Sequence, residues 1–332
     1  MKKRTLYIVV PVALLAIIYF IGPRPATPEY DKALPAVPAQ PDELESYIAT
    51  NESNHQLKKD NQARIIWADS TKKKTTYSVV YLHGFSASQE EGNPVHMDFA
   101  KKFGCNLYLS RLSDHGIDTT EQLLYMTPDR LWASAKEALV IGKALGDKVI
   151  LMSTSNGSTL SLMLAAEYPD DVFALLNMSP NIAINDGNAW LLNNPWGLQI
   201  ARMVIGSDYR SFPKDEVKDQ YWNNPYRIEA ITQLQELLET KMNKDTFHKV
   251  KCPSLTLYYF KNEKEQDPTV KVSAIIEMNK ELGTPEGMKV ARSIPNAGAH
   301  VLGSHLTSKD IASVEREMDQ FAVEKLKMRK VN

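Results

Sequence analysis

The chain reads as an α/β protein, a mostly parallel central sheet with helices on both faces. Beyond about residue 61, short β-branched or apolar runs alternate with longer helical patterns, the rhythm of strands joined by crossover helices. Several of those runs end in Gly, Ser, Asp or Asn, where a strand must turn toward the next helix. With 332 residues, 43% of them hydrophobic and 24% charged, the chain can bury one core and still carry an inserted lid.

Composition also excludes partners. Thirty-nine Lys and Arg balance forty Asp and Glu, a net charge of −1, which leaves no overall field to hold a nucleic acid. The two cysteines, Cys105 and Cys252, build neither a zinc cluster nor a disulfide framework, and no CxxC or HExxH spacing occurs, so no metal or other cofactor is expected.

Taken in order, the first segment, residues 1–22, is set apart from the rest. Met1, Lys2, Lys3 and Arg4 precede an uncharged apolar run from Leu6 to Gly22, which at about 1.5 Å per residue covers roughly 25 Å. The expectation is a membrane anchor that leaves the basic end in the cytoplasm and exports the body, with a cleaved signal peptide as the alternative. Residues 23–60 follow as a Pro-rich linker, marked by Pro23, Pro25, Pro28, Pro35 and Pro38, a composition that behaves as a semi-rigid spacer. Residues 61–180 and 251–332 are expected to form the core.

Within it the candidate strands are Arg64 to Trp67, Tyr77 to Leu82, Asn106 to Arg111, Lys148 to Ser153, Ala174 to Met178, Ser254 to Phe260 and Lys289 to Ile294. In an open α/β sheet, ligands sit beyond the carboxyl ends of the strands. Three of those ends carry reactive residue types: Leu82-His83-Gly84-Phe85-Ser86, Ser110 to Gly116 with its Asp114-His115-Gly116 turn, and Ser153-Thr154-Ser155-Asn156-Gly157 running into an apolar helix. The third is the most specific. A sharp strand-to-helix turn projects a serine hydroxyl from the sheet edge and brings the residues two before and two after it together, so both must be small. Ser153 and Gly157 meet that requirement around Ser155. The alternative is that Ser155 only caps the helix.

With these turns in place the chain resembles the α/β-hydrolase superfamily, particularly its esterase, monoacylglycerol-lipase-like and serine-aminopeptidase-like members, over about residues 62 to 328. The resemblance rests on His83-Gly84-Phe85, Asp114-His115-Gly116, Ser153 to Gly157, Asp267-Pro268-Thr269-Val270 and Gly298-Ala299-His300, in that order. Its first elbow position is serine where the family more often has glycine. The resemblance implies an α/β-hydrolase fold with an inserted helical lid, and a triad of Ser155 as nucleophile, His300 as general base and Asp267 orienting the imidazole. It also implies an oxyanion hole from the backbone N–H groups of Phe85 and Asn156. Glu263 is the reserve for Asp267, and His305 the competitor of His300. His83 and His115 are expected to shape their loops rather than move protons. In that fold the strands after Cys105 and Cys252 stand four positions apart, roughly 19 Å, so both should be free thiols.

Residues 181–250 are too many for a simple crossover and form the lid. Its first half carries Trp190, Trp196, Tyr209, Phe212, Tyr221, Trp222 and Tyr226, candidates for lining an apolar acyl pocket. Its second half repeats Ile228, Ile231, Leu234, Leu237 and Leu238 at helical spacing, the pattern of a core-facing stripe. The expected activity is cleavage of a small-molecule carboxylic ester, short-to-medium acyl or lipid-derived, through an acyl-enzyme on Ser155. A peptidase or amidase, a thioesterase, an acyltransferase on the same triad and a non-catalytic ligand-binding scaffold are the alternatives.

Overall fold

A computed structural model describes residues 3–331. All seven expected runs are strands of one sheet: β1 (Arg64–Ile66), β2 (Thr75–Leu82), β3 (Asn106–Leu109), β4 (Gly146–Thr154), β5 (Val172–Met178), β6 (Ser254–Tyr258) and β7 (Lys289–Ser293). Their order is β1-β3-β2-β4-β5-β6-β7. Only β1 runs antiparallel to its neighbour. The central strands are apolar on both faces because helices cover both. Val80, Leu82, Val149 and Leu151 enter one hydrophobic cluster, and Val79, Tyr81, Ile150 and Met152 enter the other, the alternation that a pleated strand imposes.

Eleven helices surround the sheet among the described residues: α1 (Lys3–Phe20), α2 (Pro41–Ser53), α3 (Val95–Phe103), α4 (Pro128–Leu145), α5 (Asn156–Glu167), α6 (Gly197–Ile205), α7 (Glu216–Tyr221), α8 (Glu229–Lys241), α9 (Lys244–Lys249), α10 (Val272–Glu281) and α11 (Ile311–Glu324). Helices α3 and α11 supply the second cluster through Phe99, Phe103, Met318 and Phe321. Helices α4, α5 and α10 supply the first through Leu131, Trp132, Leu160 and Ile275. Helices α6 to α9 lie between β5 and β6, in the segment read as a lid. Leu234 and Leu237 of α8 are buried in the first cluster, so the periodic stripe faces the core. Cys105 and Cys252 are buried and free, and burial pushes both thiols up to about 12.

The N-terminal expectations need correction. The apolar run does form α1, but among the described residues no helix is long and apolar enough to cross a membrane, so the membrane anchor is not supported. The uncharged part of α1, Leu6 to Phe20, covers about 22 Å, short of a hydrocarbon core of about 30 Å. Beyond it the chain turns onto the body: Trp196 Nε1 donates to Ile18 O at 2.9 Å, and Trp196 N donates to Pro23 O at 2.9 Å. Met1 and Lys2, part of the expected basic start, lie outside the described residues.

Residues 23–60 differ from a free spacer as well. Leu44 and Ile48 of α2 are buried in the first cluster. Upstream, the chain is strapped along α4: Asp129 Oδ1 accepts from Tyr30 N at 2.7 Å, and Trp132 Nε1 donates to Asp31 O at 2.8 Å. Lys136 Nζ donates to Asp31 O, Asp31 Oδ2 and Ala33 O at 2.7, 2.9 and 2.6 Å. An ammonium as buried as Lys136, 5% exposed, needs such acceptors, and here the Asp31 carboxylate and two backbone carbonyls that have no partners in a helix or sheet provide them. Lys136→Met is therefore expected to lower the melting temperature by a few degrees and to speed protease cleavage within residues 23–40. Unchanged cleavage there would show the strap is not held by this lysine.

Candidate active site

Strand β4 delivers Ser155 at its carboxyl end. The residue has φ 53° and ψ −117°, a left-handed conformation that costs a serine about 1–3 kcal/mol. Four backbone bonds hold it, one of them from Thr159 N to Ser155 O at 3.3 Å. Ser155 N donates to Met178 O at 2.9 Å, and Ser155 O accepts from Ser158 N at 3.0 Å and from Asn181 N at 3.1 Å. The side chain does not cap α5, so the capping alternative has no support, and Oγ has no hydrogen-bond partner among the described residues. Gly157 admits no side chain: a Cβ there would lie 2.0 Å from Leu82 O and 2.6 Å from His83 O. Ser153 is fully buried and its Oγ stands 3.0 Å from both Ser158 Oγ and Asn177 Oδ1.

The loop after β2 runs beside this elbow. A Cβ on Gly84 would come within 3.0 Å of Ser155 Cβ. Leu112 N donates to His83 Nε2 at 3.0 Å, so the ring proton sits on Nδ1 and is donated to Gly84 O at 2.9 Å. His115 follows the same logic: its Nε2 accepts from Ser86 N at 3.0 Å and its Nδ1–H donates to Ser113 O at 2.8 Å. Burial holds both imidazoles down, His115 to about 4, so each is a neutral loop brace. Phe85 N and Asn156 N donate to no protein acceptor among the described residues. Asn156 is the first residue of α5, where an amide has no partner within the helix.

Asp267 follows a short antiparallel arm, Phe260–Asn262 paired with Glu265–Gln266. The arm returns the chain to the sheet edge, where Asp267 N donates to Tyr259 O at 3.1 Å. The carboxylate is buried. Oδ1 accepts from Thr269 N at 2.8 Å and Val270 N at 3.0 Å, and Oδ2 stands 2.7 Å from His300 Nδ1. Ser179 Oγ donates to His300 O at 2.7 Å. Since Ser179 follows Met178, adjacent residues of one strand end anchor both Ser155 and His300.

The fold has counterparts among solved structures. One, from work on the metagenome-derived lipolytic enzymes LipS and LipT, aligns with a TM-score of 0.63 at 17% identity, covering 80% of this chain and 99% of that one. A monoacylglycerol lipase from Paleococcus ferrophilus aligns with a TM-score of 0.58 at 12% identity, over 79% and 97%. A soluble variant of the Saccharomyces cerevisiae monoglyceride lipase aligns with a TM-score of 0.57 at 12% identity, over 78% and 89%. The chain has the α/β-hydrolase fold. No family model matches the sequence, and no curated protein matches it.

Within this α/β-hydrolase fold the structure brings Asp267 and His300 together and leaves the competitors outside. Glu263 is exposed. His305 is exposed and stands near Asn93 O and Glu90. For Asp267, burial pushes the carboxyl up, but the charge and hydrogen bond of His300 and two backbone N–H groups outweigh it and the net direction is down. For His300, burial pushes down, and Asp267, with a smaller contribution from Glu91, turns the net direction upward. Among the described residues no group of three or more His, Cys, Asp or Glu is placed to hold a metal ion.

The site lies under the inserted segment. Ser155 is only 5% exposed, Asn223 N donates to Ser86 O at 2.6 Å, and the rings of Phe85 and Tyr226 meet edge to face at 5.1 Å. Of the aromatic residues expected to line a pocket, Tyr226 is buried, whereas Trp190 and Phe212 are more than half exposed. Two open clefts on the surface lie elsewhere, one of about 450 Å³ beside Lys102 and Glu315 and one of about 260 Å³ beside Glu52 and Arg111. Sequence reasoning missed one residue here: Glu91 is buried, and its Oε2 accepts from Gly84 N at 2.5 Å. The available signal was an acidic pair, Glu90-Glu91, seven residues beyond Gly84.

Because Asp267 supports the protonated ring, the His300 imidazole is expected to titrate above 6.5 by nuclear magnetic resonance. Asp267→Asn removes that support while burial remains, so the titration should move to lower pH. A wild-type His300 that titrates at or below the ordinary value would contradict the pairing.

Proposed function

We propose that this chain hydrolyses a carboxylic ester through an acyl intermediate on Ser155. The observation that carries the reading is the grouping of a hydroxyl without a hydrogen bond on a left-handed turn, a carboxylate-held imidazole anchored to the neighbouring strand end, and two amides without acceptors. With Nδ1–H bound to Asp267, His300 keeps a lone pair on Nε2. That nitrogen takes the Ser155 proton as Oγ attacks the carbonyl carbon. Charge developing on the carbonyl oxygen is met by the Phe85 and Asn156 N–H groups, each contributing about 3 kcal/mol of transition-state stabilisation. The imidazolium, stabilised by Asp267, then protonates the departing alcohol. Water repeats the sequence on the acyl-enzyme and frees the acid.

Ester chemistry is favoured by the lipolytic enzymes and monoglyceride lipases that the fold resembles. A short-to-medium acyl group or a lipid-derived monoester suits a nucleophile covered by an inserted segment, with Phe85 and Tyr226 as apolar surface beside it. Export of the body belongs to the same reading, with the N-terminal basic start and apolar run acting as a signal. Fractionation of the native host checks it.

A fluorophosphonate probe should label the full-length protein, and Ser155→Ala should abolish labelling without changing the fold. Hydrolysis of p-nitrophenyl esters should fall by at least about 10⁴-fold in that variant, and kcat/KM of the wild type should drop as pH falls through the raised His300 value. Labelling that persists in Ser155→Ala would remove Ser155 from the mechanism.

A further inference from the structure

The mechanism leaves one titratable group at the site without a use. Glu91 belongs to a short helical turn, Gln89–Gly92, in which all four residues are buried. Its carboxyl is enclosed by the loop after β2 and by the elbow. A Cβ on Gly84 would stand 2.8 Å from Glu91 Oε1, 2.8 Å from Oε2 and 3.0 Å from Ser155 Cβ, so carboxyl and nucleophile flank the same glycine. Burying an acid this way is costly unless it is bonded or paired, and packing alone would be better served by an apolar side chain. Burial pushes this carboxyl up to about 7, against the pull of the Gly84 N–H and of His300.

The hydrogen bonds indicate its purpose. Gly84 is held on both sides: its N–H by Glu91 Oε2 at 2.5 Å, its carbonyl by His83 Nδ1–H at 2.9 Å and by Ala87 N at 3.3 Å. In a planar trans peptide the carbonyl and the following N–H point in opposite directions. Fixing Gly84 O against His83 therefore turns the Phe85 N–H away from it, which leaves that donor free. We propose that Glu91 is a positioning residue for the oxyanion loop, holding Gly84, and through it the direction of the Phe85 N–H. The assignment rests on the serine-hydrolase reading above.

The groups facing this carboxyl can be named. His300 acts on it and is acted on by it. The Tyr81 hydroxyl, bonded to Thr154 Oγ1 at 2.9 Å, lies near enough to feel both Glu91 and Glu90. The Glu90 carboxylate itself is bound by Asn93 Nδ2 at 3.1 and 3.0 Å and faces His305 at 3.7 Å.

Two variants of the full chain test the proposal. Glu91→Ala removes the acceptor for Gly84 N–H. Its kcat should fall by about 10²-fold, in the range for an impaired oxyanion donor, with KM changed far less and fluorophosphonate labelling slowed in parallel. Glu91→Gln keeps an acceptor and removes the charge. It should restore most of the kcat and of the labelling rate, because the Gly84 N–H keeps its acceptor. A residue that only filled space would change the melting temperature without separating the two variants in kcat. Labelling of Glu91→Ala at the wild-type rate would overturn the proposal while labelling lost in Ser155→Ala kept the hydrolase reading intact. A folded Glu91→Gln whose kcat is lowered about 10²-fold would overturn it as well, and that arm decides the matter if Glu91→Ala does not fold. A wild-type protein that takes no label would overturn both.

Discussion

Every feature of the site depends on the backbone of Ser155 being kept where an unconstrained serine would not stay. Its φ of 53° is held because β4 ends against Met178 O on one side while α5 begins on the other. Helix α5 can start there only because Gly157 rests against the carbonyls of Leu82 and His83, a closeness that any Cβ would prevent. The energy for this turn comes from the buried apolar layers on either side of β4 and not from local propensity, since a left-handed serine is unfavourable on its own. The same turn sets two chemical facts at once: Oγ is released from capping duty, and the first amide of α5 is left without an acceptor.

The second half of the site is held by side chains used as backbone partners. His83 and His115 are fully buried and neutral, and each bridges an N–H of one loop to a carbonyl. Around them, Arg111 pairs with Glu52 at 2.8 Å and Arg130 with Asp114 at 2.8 Å, which ties the turn after β3 to α2 and α4. Polar groups placed this way are rigid when satisfied and costly when broken. Loops carrying catalytic donors gain from that rigidity. Glu91 extends the pattern, its buried carboxylate accepting from the Gly84 N–H.

The N-terminal portion contributes to the body in a way that composition concealed. A proline-rich stretch is unable to form its own hydrogen-bonded structure, and that leaves its carbonyls available to a buried lysine. Lys136 collects three of its oxygens. The result is a strap across α4 where a spacer was expected, and α2 then completes the apolar face beside β1.

All seven sheet strands were legible, the five inner ones as short apolar runs because a parallel sheet buried on both faces demands them. Ser155, His83-Gly84, Asp267-Pro268 and His300 could be picked out because each ends or follows a strand, where turn chemistry restricts residue type. The resemblance favoured Asp267 and His300 over Glu263 and His305, but the contact between them depends on the two-stranded arm that returns residue 267 to the sheet edge. The role of Glu91 was hidden for a related reason: its partner is a backbone N–H, which has no signature in composition or spacing. Periodicity and turn preference act between near neighbours and can be read along the chain, whereas a hydrogen bond between two loops exists only after the sheet has set their separation.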